Sequence, residues 1–270
     1  MAPIDAIDAL QKVEGFPFPV CASPGTEDRA AEIGRRVERA RDWLADLVEF
    51  QPRVRLLALA PADWDGIAEV PVFGFPHFIN DDTIVVGSLA APFFDEIVEV
   101  LRASASQPTW HRMQEVYGEP PSVHGFADLL VVHELGHLFH VQAGFWKPGT
   151  WLPELFCNVA LEGYVAEVEP QSLELLETLP LAFGVVEAVR FPVRALDQMA
   201  RAGEVGGPLN YAWFELRLHA AARSIWERGG RSVLLRLYER FRDDRTVDDV
   251  RTALKEIHPE LARVIEAWPG

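Results

Sequence analysis

The sequence predicts an α+β protein with a small N-terminal β-sheet and a mainly helical C-terminal lobe. Three short apolar runs, bounded by Pro, Gly and Asp, lie at 54–60, 70–75 and 83–86 and are typical of strands. After Gly87 the apolar residues recur mostly at helical spacing. We therefore expect a sheet of three or more strands, followed by a run of helices.

The composition is that of an ordinary globular protein. A chain of 270 residues can form one large domain or two closely packed lobes. The 25 Lys and Arg residues against 41 Asp and Glu residues give a net charge of −16, which disfavours nucleic acid and anionic membranes as partners. The composition leaves the oligomeric state open.

The N-terminal residues and the cysteines do not indicate export. The first eight residues contain early acids and no basic segment before an apolar run, so a secretory signal is not predicted. No stretch has the length needed to cross a bilayer. Cys21 and Cys157 lie far apart and lack metal-pair spacing, and a disulfide between them stays open. A cytoplasmic location is the resulting expectation.

The Pro- and Gly-rich segment 1–26 is expected to be an extended N-terminal arm. Residues 27–270 are expected to form a single domain. Within it, 27–144 would be a sheet-containing lobe and 145–270 a helical lobe.

Several helices are predicted along that domain. The segment Glu27 to Phe50 has apolar residues at helical spacing between charged residues, and Ala91 to Ala103 has the same pattern. Residues 107–121 show no clear period and are expected to be irregular. Further helices are predicted from Ser122 or His124 to near Gly144, at 154–169, at 172–199 with breaks near Pro180 and Pro192, at 211–228 and at 232–241, with two short helices after them. Gly144 is expected to adopt the left-handed turn that often follows a helix, and loops are predicted at 144–150 and 203–208.

The central helix carries an H-E-x-x-H pattern, His133 to His137. Residues four apart lie on the same helix face, so both imidazoles can reach one ion. Glu134 would then lie beside the metal, where it can take a proton from a metal-bound water. The pattern predicts a hydrolytic zinc centre, although it also occurs by chance in unrelated proteins.

A catalytic zinc site needs three protein ligands and one open position. The metzincin extension of the motif is absent, because His140 stands where that motif has Gly and Ala143 where it has the third histidine. A glutamate on the following helix is the other common solution, and the segment 151–158 offers Glu154, 17 positions after His137.

The segment Trp151-Leu152-Pro153-Glu154-Leu155-Phe156 resembles the W-L-x-E-x-F-A stretch of gluzincin metallopeptidases, the group that contains thermolysin and the aminopeptidase-N-like enzymes. Over roughly 70–255, the resemblance implies a gluzincin-like (zincin) catalytic domain, metallopeptidase activity and Zn²⁺ as cofactor. It also implies Glu154 as third ligand, with Glu162 in reserve. Glu154 could instead only stabilise the dipole of its helix.

Two residues near the ligands are candidates for supporting roles. Asn158, one turn after Glu154, occupies the position where gluzincins often carry an outer-shell residue, commonly Asp. Its amide oxygen could accept a hydrogen bond from a zinc-bound histidine, or the side chain could only bond a nearby backbone group. His140 lies about 60° off the ligand face, so we expect a packed or outer-shell histidine there.

The resemblance also implies a tyrosine that stabilises the oxyanion of hydrolysis. The segment 210–216, followed by Gly229-Gly230, resembles the helix that carries it, which makes Tyr211 the candidate. Tyr164 and His219 are competitors, and any of the three could be a core residue instead.

The sequence bears on the substrate less directly. Gly74-Phe75-Pro76-His77 is the place where an edge strand could dock an extended peptide. The G-x-M-E-N motif that holds the substrate amine in aminopeptidase-N-like enzymes is absent, which disfavours an aminopeptidase.

Together these residues predict a zinc metallopeptidase, and the expected partner is a peptide or small-molecule substrate. His133, His137 and Glu154 would bind zinc, Glu134 would act as general base, and Tyr211 would stabilise the oxyanion. Two alternatives stay open. One is a zinc hydrolase of a non-peptide small substrate, and the other is a non-catalytic zincin-fold binding module.

Overall fold

A computed structural model describes residues 4–89, 91–145, 149–184, 186, 188–243 and 250–269. Within them lie a five-stranded sheet and eleven α-helices, so the predicted α+β class is confirmed. The chain divides into two compact units. The first comprises Met1–Glu96 and Val123–Ala143, and the second comprises Ile97–Ser122 and Gly144–Gly270.

The sheet belongs to the first unit and has the order β1-β2-β3-β5-β4. Its strands are β1 (Gln11–Lys12), β2 (Val20–Ala22), β3 (Arg55–Leu59), β4 (His77–Ile79) and β5 (Thr83–Gly87). The three inner strands are parallel, and β1 and β4 are antiparallel edges. Leu57 of β3 pairs with Cys21 on one side and Val85 on the other, and all three side chains are buried.

Two segments of the sheet differ from the prediction. Residues 20–22, expected to lie in the extended arm, form β2, because their backbones pair in register with β3 and their side chains are buried. The run 70–75 forms no strand. Gly74 there adopts a left-handed backbone, φ 76°, and the edge strand β4 starts only at His77.

The first unit also contains helices α1 (Ile4–Asp8), α2 (Glu27–Val48), α3 (Pro61–Ile67) and α6 (His124–Gln142). The amphipathic helix predicted from Glu27 is confirmed as α2, which buries Ile33, Val37 and Leu44 on one face. Helix α6 carries the H-E-x-x-H pattern, and the predicted left-handed glycine follows it at Gly144, φ 72°. The expected loop after Gly144 falls partly on 146–148, outside the described residues.

Helix α4 (Pro92–Ser104) begins in the first unit and ends in the second. The second unit continues with α5 (Gln107–Tyr117), α7 (Trp151–Val168), α8 (Leu173–Phe183), α9 (Ala202–Asp243), α10 (Val250–Ile257) and α11 (Pro259–Glu266). None of the described helices combines the length and the apolar composition that a membrane span requires.

Helix α5 corrects the prediction that 107–121 is irregular. The Ser106 side chain accepts a hydrogen bond from the Thr109 backbone N–H, and Pro108 sits in the first turn. A serine cap and an early proline are both helix-start signals, and they act here without a strong apolar period. The predicted loop at 203–208 is likewise part of α9, interrupted at Gly207, φ 74°.

Close helix packing in the second unit depends on one glycine. A Cβ atom on Gly163 of α7 would lie 2.5 Å from the ring of Trp226 on α9. Only a residue without a side chain therefore allows this approach. The contact fixes the helix that carries Glu154 against the helix that carries Tyr211.

Candidate metal centre

Helix α6 is buried almost all round, which follows from its sequence, since apolar residues surround the histidines on every side. His133, Glu134 and His137 are 6–8% exposed. Buried polar side chains of this kind need a hydrogen-bond or metal partner, because leaving them unsatisfied is costly. The geometry of the histidines shows what kind of partner they suit.

The Nε2 atoms of His133 and His137 lie 3.1 Å apart. Two nitrogens bound tetrahedrally to zinc at about 2.0–2.1 Å would be about 3.3 Å apart. The pair therefore already has nearly the spacing that one ion requires. Without an ion, one of the two nitrogens must carry a proton and donate it to the other.

His140 lies on the far side of His137. The Nδ1 atom of His137 is 2.8 Å from Nε2 of His140. If Nε2 of His137 binds a metal, its Nδ1 carries the proton and donates to His140. The ring of Phe78 stacks on His137 with centroids 4.8 Å apart, which restricts the ring further. His140 thus has the position of the outer-shell histidine that the sequence allowed.

The second unit contains a pair of neighbouring carboxylates, of which Glu154 is buried and Glu215 is partly buried. Carboxylate oxygens of Glu154 on α7 and Glu215 on α9 lie within 4.8 Å of each other. The Asn158 amide donates to Glu215 over 3.3 Å, so Asn158 has a carboxylate partner within its own unit. Two carboxylates held this close and largely buried are stabilised by a cation or by a shared proton.

Glu162, the reserve ligand, belongs to a different cluster of the same unit. Its Oε2 atom lies 3.7 Å from Nε2 of His219, and it shares a hydrogen bond with Glu177. Burial raises the pKa of Glu162 to about 7. The pKa of Glu177 is also raised to about 7. Burial is the larger cause, and the negative charge of Glu162 is the second. Arg223 contacts Glu177 over 3.3 Å.

The three candidates for the oxyanion donor have different surroundings. Tyr164 is fully buried, and its hydroxyl donates to Glu169 over 2.6 Å. His219 is buried beside Glu162. Tyr211 is half-buried and lies one turn before Glu215 on α9. Of the three, Tyr211 has the partly open position that a contact with substrate requires.

A thiol also lies close to Glu154 in sequence. Cys157 is fully buried on α7, three residues after Glu154. A thiolate is a good zinc ligand, so Cys157 is a further donor that the sequence reasoning did not consider as a ligand. Within the described residues no disulfide joins it to Cys21, which is buried in β2.

The predicted site residues thus fall into two groups, each placed by one unit. The first unit brings His133, His137 and His140 into one chain of contacts, with Glu134 beside them on α6. The second unit brings Glu154 close to Glu215 and Asn158 close to Glu215. Glu215 was missed, and the available signal was its place four residues after Tyr211, on the same helix face.

Comparison with protein-family models, with curated proteins and with solved structures finds no match.

Proposed function

We propose that the chain is a zinc-dependent hydrolase and that its reaction is the hydrolysis of peptide bonds. The observation that supports this most strongly is the buried pair of imidazole nitrogens, His133 Nε2 and His137 Nε2, 3.1 Å apart. A glutamate directly follows the first histidine on the same helix. Two histidines with an adjacent base are the donor set of a hydrolytic zinc site rather than of a structural one.

Glu154 is our proposed third ligand. It is a buried carboxylate at the start of α7, and its neighbour Glu215 adds a second negative charge that favours a divalent cation. Glu162 is the weaker candidate, because its carboxylate is already engaged with His219 and Glu177. Two imidazoles and one carboxylate make a three-ligand set that leaves one position open.

Zinc, when bound, would supply Lewis acidity, lowering the pKa of a water toward about 7 and polarising the substrate carbonyl. Glu134 takes the proton from the attacking water and passes it to the leaving nitrogen. A carbon–oxygen bond forms, the carbon–nitrogen bond breaks, and the proton ends on the amine. Tyr211 donates a hydrogen bond to the oxyanion.

His140 acts through His137 and not on the substrate. When Nε2 of His137 binds the ion, its Nδ1–H donates a hydrogen bond to the Nε2 atom of His140 over 2.8 Å, so the other nitrogen of His137 keeps its lone pair for the ion. Stacking of Phe78 on the His137 ring restricts the orientation of the ring, and so the direction in which its Nε2 atom points.

The test is a metal analysis combined with peptide hydrolysis assays on wild type and Glu134→Gln. The variant should keep zinc and lose hydrolysis by at least about 100-fold, since general base catalysis contributes about that much or more. Glu96→Gln, an exposed glutamate on α4, is the matched control and should leave both unchanged. Hydrolysis that survives in Glu134→Gln would refute the role of Glu134.

A substrate panel separates a peptidase from a zinc hydrolase of small non-peptide substrates. Peptides blocked at both ends, small amides and small esters are incubated with the zinc-loaded protein. Turnover of the blocked peptides supports an endopeptidase, and turnover of only the small substrates overturns the peptidase assignment. Absence of any Glu134-dependent turnover would favour a binding module.

A further inference from the structure

The first unit contains a pocket of about 290 Å³ where strand β5 ends. One wall is formed by Val86, Gly87 and Ser88, at the carboxyl end of that parallel strand. The carboxyl ends of parallel strands are the usual place for ligands in such sheets. The other wall is the first half of α6, with His124, Ala127, Asp128 and Val131.

Two residues that line this pocket each have a buried side-chain atom with no hydrogen-bond partner among the described residues. These atoms are the Ser88 hydroxyl oxygen and the His124 Nδ1 atom. Ser88 is 6% exposed, and its backbone N–H already donates to the Leu59 carbonyl, so its hydroxyl is the donor that remains without a partner among the described residues. Because an unsatisfied buried polar group is costly, these atoms indicate a polar occupant.

The pocket is separate from the candidate metal ligands of the first unit. Each residue advances about 100° round a helix, so the pocket residues centre on one face of α6. His133 and His137 lie about 180° and 220° round the helix from His124. The two sets of side chains therefore face opposite directions from the same helix.

The charges around the pocket cancel. The Arg29 guanidinium contacts the carboxylates of both Asp128 and Glu32, and Arg36 donates to the Asp128 backbone carbonyl. Two cations and two anions leave no net charge for a charged ligand to neutralise. The remaining lining is largely apolar and includes Ile33 and Val131. A ligand with an apolar body and an uncharged polar end suits this lining best.

We propose that this pocket is a second binding site, for a small uncharged molecule with a branched apolar body and a carboxamide or hydroxyl end. The polar end bonds the Ser88 hydroxyl and His124 Nδ1, and the apolar body packs against Val86, Ala127 and Val131. Binding here does not require the metal ligands on the opposite face of α6.

The experiment titrates the full chain with 3-methylbutanamide by calorimetry and by ligand-observed NMR. The corresponding carboxylate, 3-methylbutanoate, and the corresponding amine, 3-methylbutylamine, are titrated in parallel. The amide should bind saturably with a Kd on the order of 1 mM, and the two charged probes more weakly. Ser88→Ala should weaken binding about five- to tenfold, the effect of one lost hydrogen bond.

Ala127→Leu fills the pocket from the helix side and should abolish binding while the circular dichroism spectrum stays that of wild type. Ser122→Ala, an exposed serine outside the pocket, is the matched control and should bind as wild type does. The double variant His133→Ala, His137→Ala should bind the amide unchanged, which separates this site from the proposed zinc function. The proposal is overturned by absent or non-saturable binding, by tighter binding of a charged probe, or by binding that survives Ala127→Leu.

Discussion

The Nδ1 atom of His137 lies 2.8 Å from the Nε2 atom of His140, one turn further along α6. The contact joins a proposed ligand to His140, at the position where the metzincin motif has glycine. It orients His137 from within its own helix, where metal-binding histidines often depend on a neighbouring element.

Replacing His140 by Leu should weaken zinc binding about 10- to 100-fold, because His137 loses the acceptor for its Nδ1 proton. His140→Gln retains an acceptor oxygen and should lose less. The measurement is zinc affinity by competition with a chromophoric chelator. His111→Leu, at a histidine whose side chain is 75% exposed on α5, is the control and should match wild type. Equal affinities for His140→Leu and wild type would contradict the assigned role.

Glu154→Ala should lower zinc affinity far more than Cys157→Ser does. Both residues are buried on α7, three positions apart, so the pair tests the ligand against a neighbouring donor of another chemistry. Loss of a charged ligand removes both a bond to the ion and its neutralising charge. Zinc content after dialysis against a weak chelator measures the difference. A larger loss in Cys157→Ser would assign the third ligand to the thiol instead.

The Glu162–Glu177 pair should make stability depend on pH. Burial raises the pKa of both carboxyls to about 7, above the ordinary value of 4.5. Between those values the folded state holds more protons than the unfolded chain, so the free energy of unfolding falls as pH rises and levels off above about pH 7. Glu162→Gln should make that fall shallower, because it removes one titrating group and one charge that raises the pKa of Glu177.

Urea unfolding of wild type and Glu162→Gln at several pH values between 4.5 and 8 measures this effect. Glu96→Gln is the control for loss of an exposed carboxylate and should parallel wild type. Parallel curves for wild type and Glu162→Gln would show that the pair does not titrate in this range.

Gly163→Ala should destabilise the protein by about 1–3 kcal/mol, because the new methyl group overlaps the Trp226 ring. Gly66→Ala, in helix α3 with open space around it, is the matched control. That change should be neutral or stabilise by up to about 1 kcal/mol. Urea denaturation measures the free energy of unfolding of both variants. A Gly163→Ala value equal to that of wild type would mean that α7 and α9 do not pack at this glycine.

The two helices that carry the motifs were the easiest part of the fold to predict. Helices α6 and α7 are almost wholly apolar apart from the candidate site residues, so their length and burial follow from composition. The strand β2 and the helix α5 were not predicted. Strand β2 has only three residues and is stabilised by its pairing with β3. Helix α5 begins at a capping serine, which the spacing of apolar residues does not reveal.

Only the part of the candidate site that lies on one helix could be predicted from residue spacing. His133, Glu134 and His137 follow from helix geometry, and even the His137–His140 contact agrees with a three-residue advance. The proximity of Glu154 to Glu215 joins positions 61 residues apart in sequence. The engagement of Glu162 with His219 and Glu177 is equally non-local. Such contacts depend on packing of α7, α8 and α9, which local pattern does not encode.

X-ray absorption at the zinc edge, on protein loaded with one equivalent of zinc, tests the proposed centre most directly. The expected spectrum has two imidazole nitrogens and light-atom oxygen ligands at about 2.0–2.2 Å, with no sulfur. His133→Ala should lose one imidazole or fail to bind. A sulfur shell at about 2.3 Å, or a protein that takes up no zinc, would contradict the proposed centre of His133, His137 and Glu154.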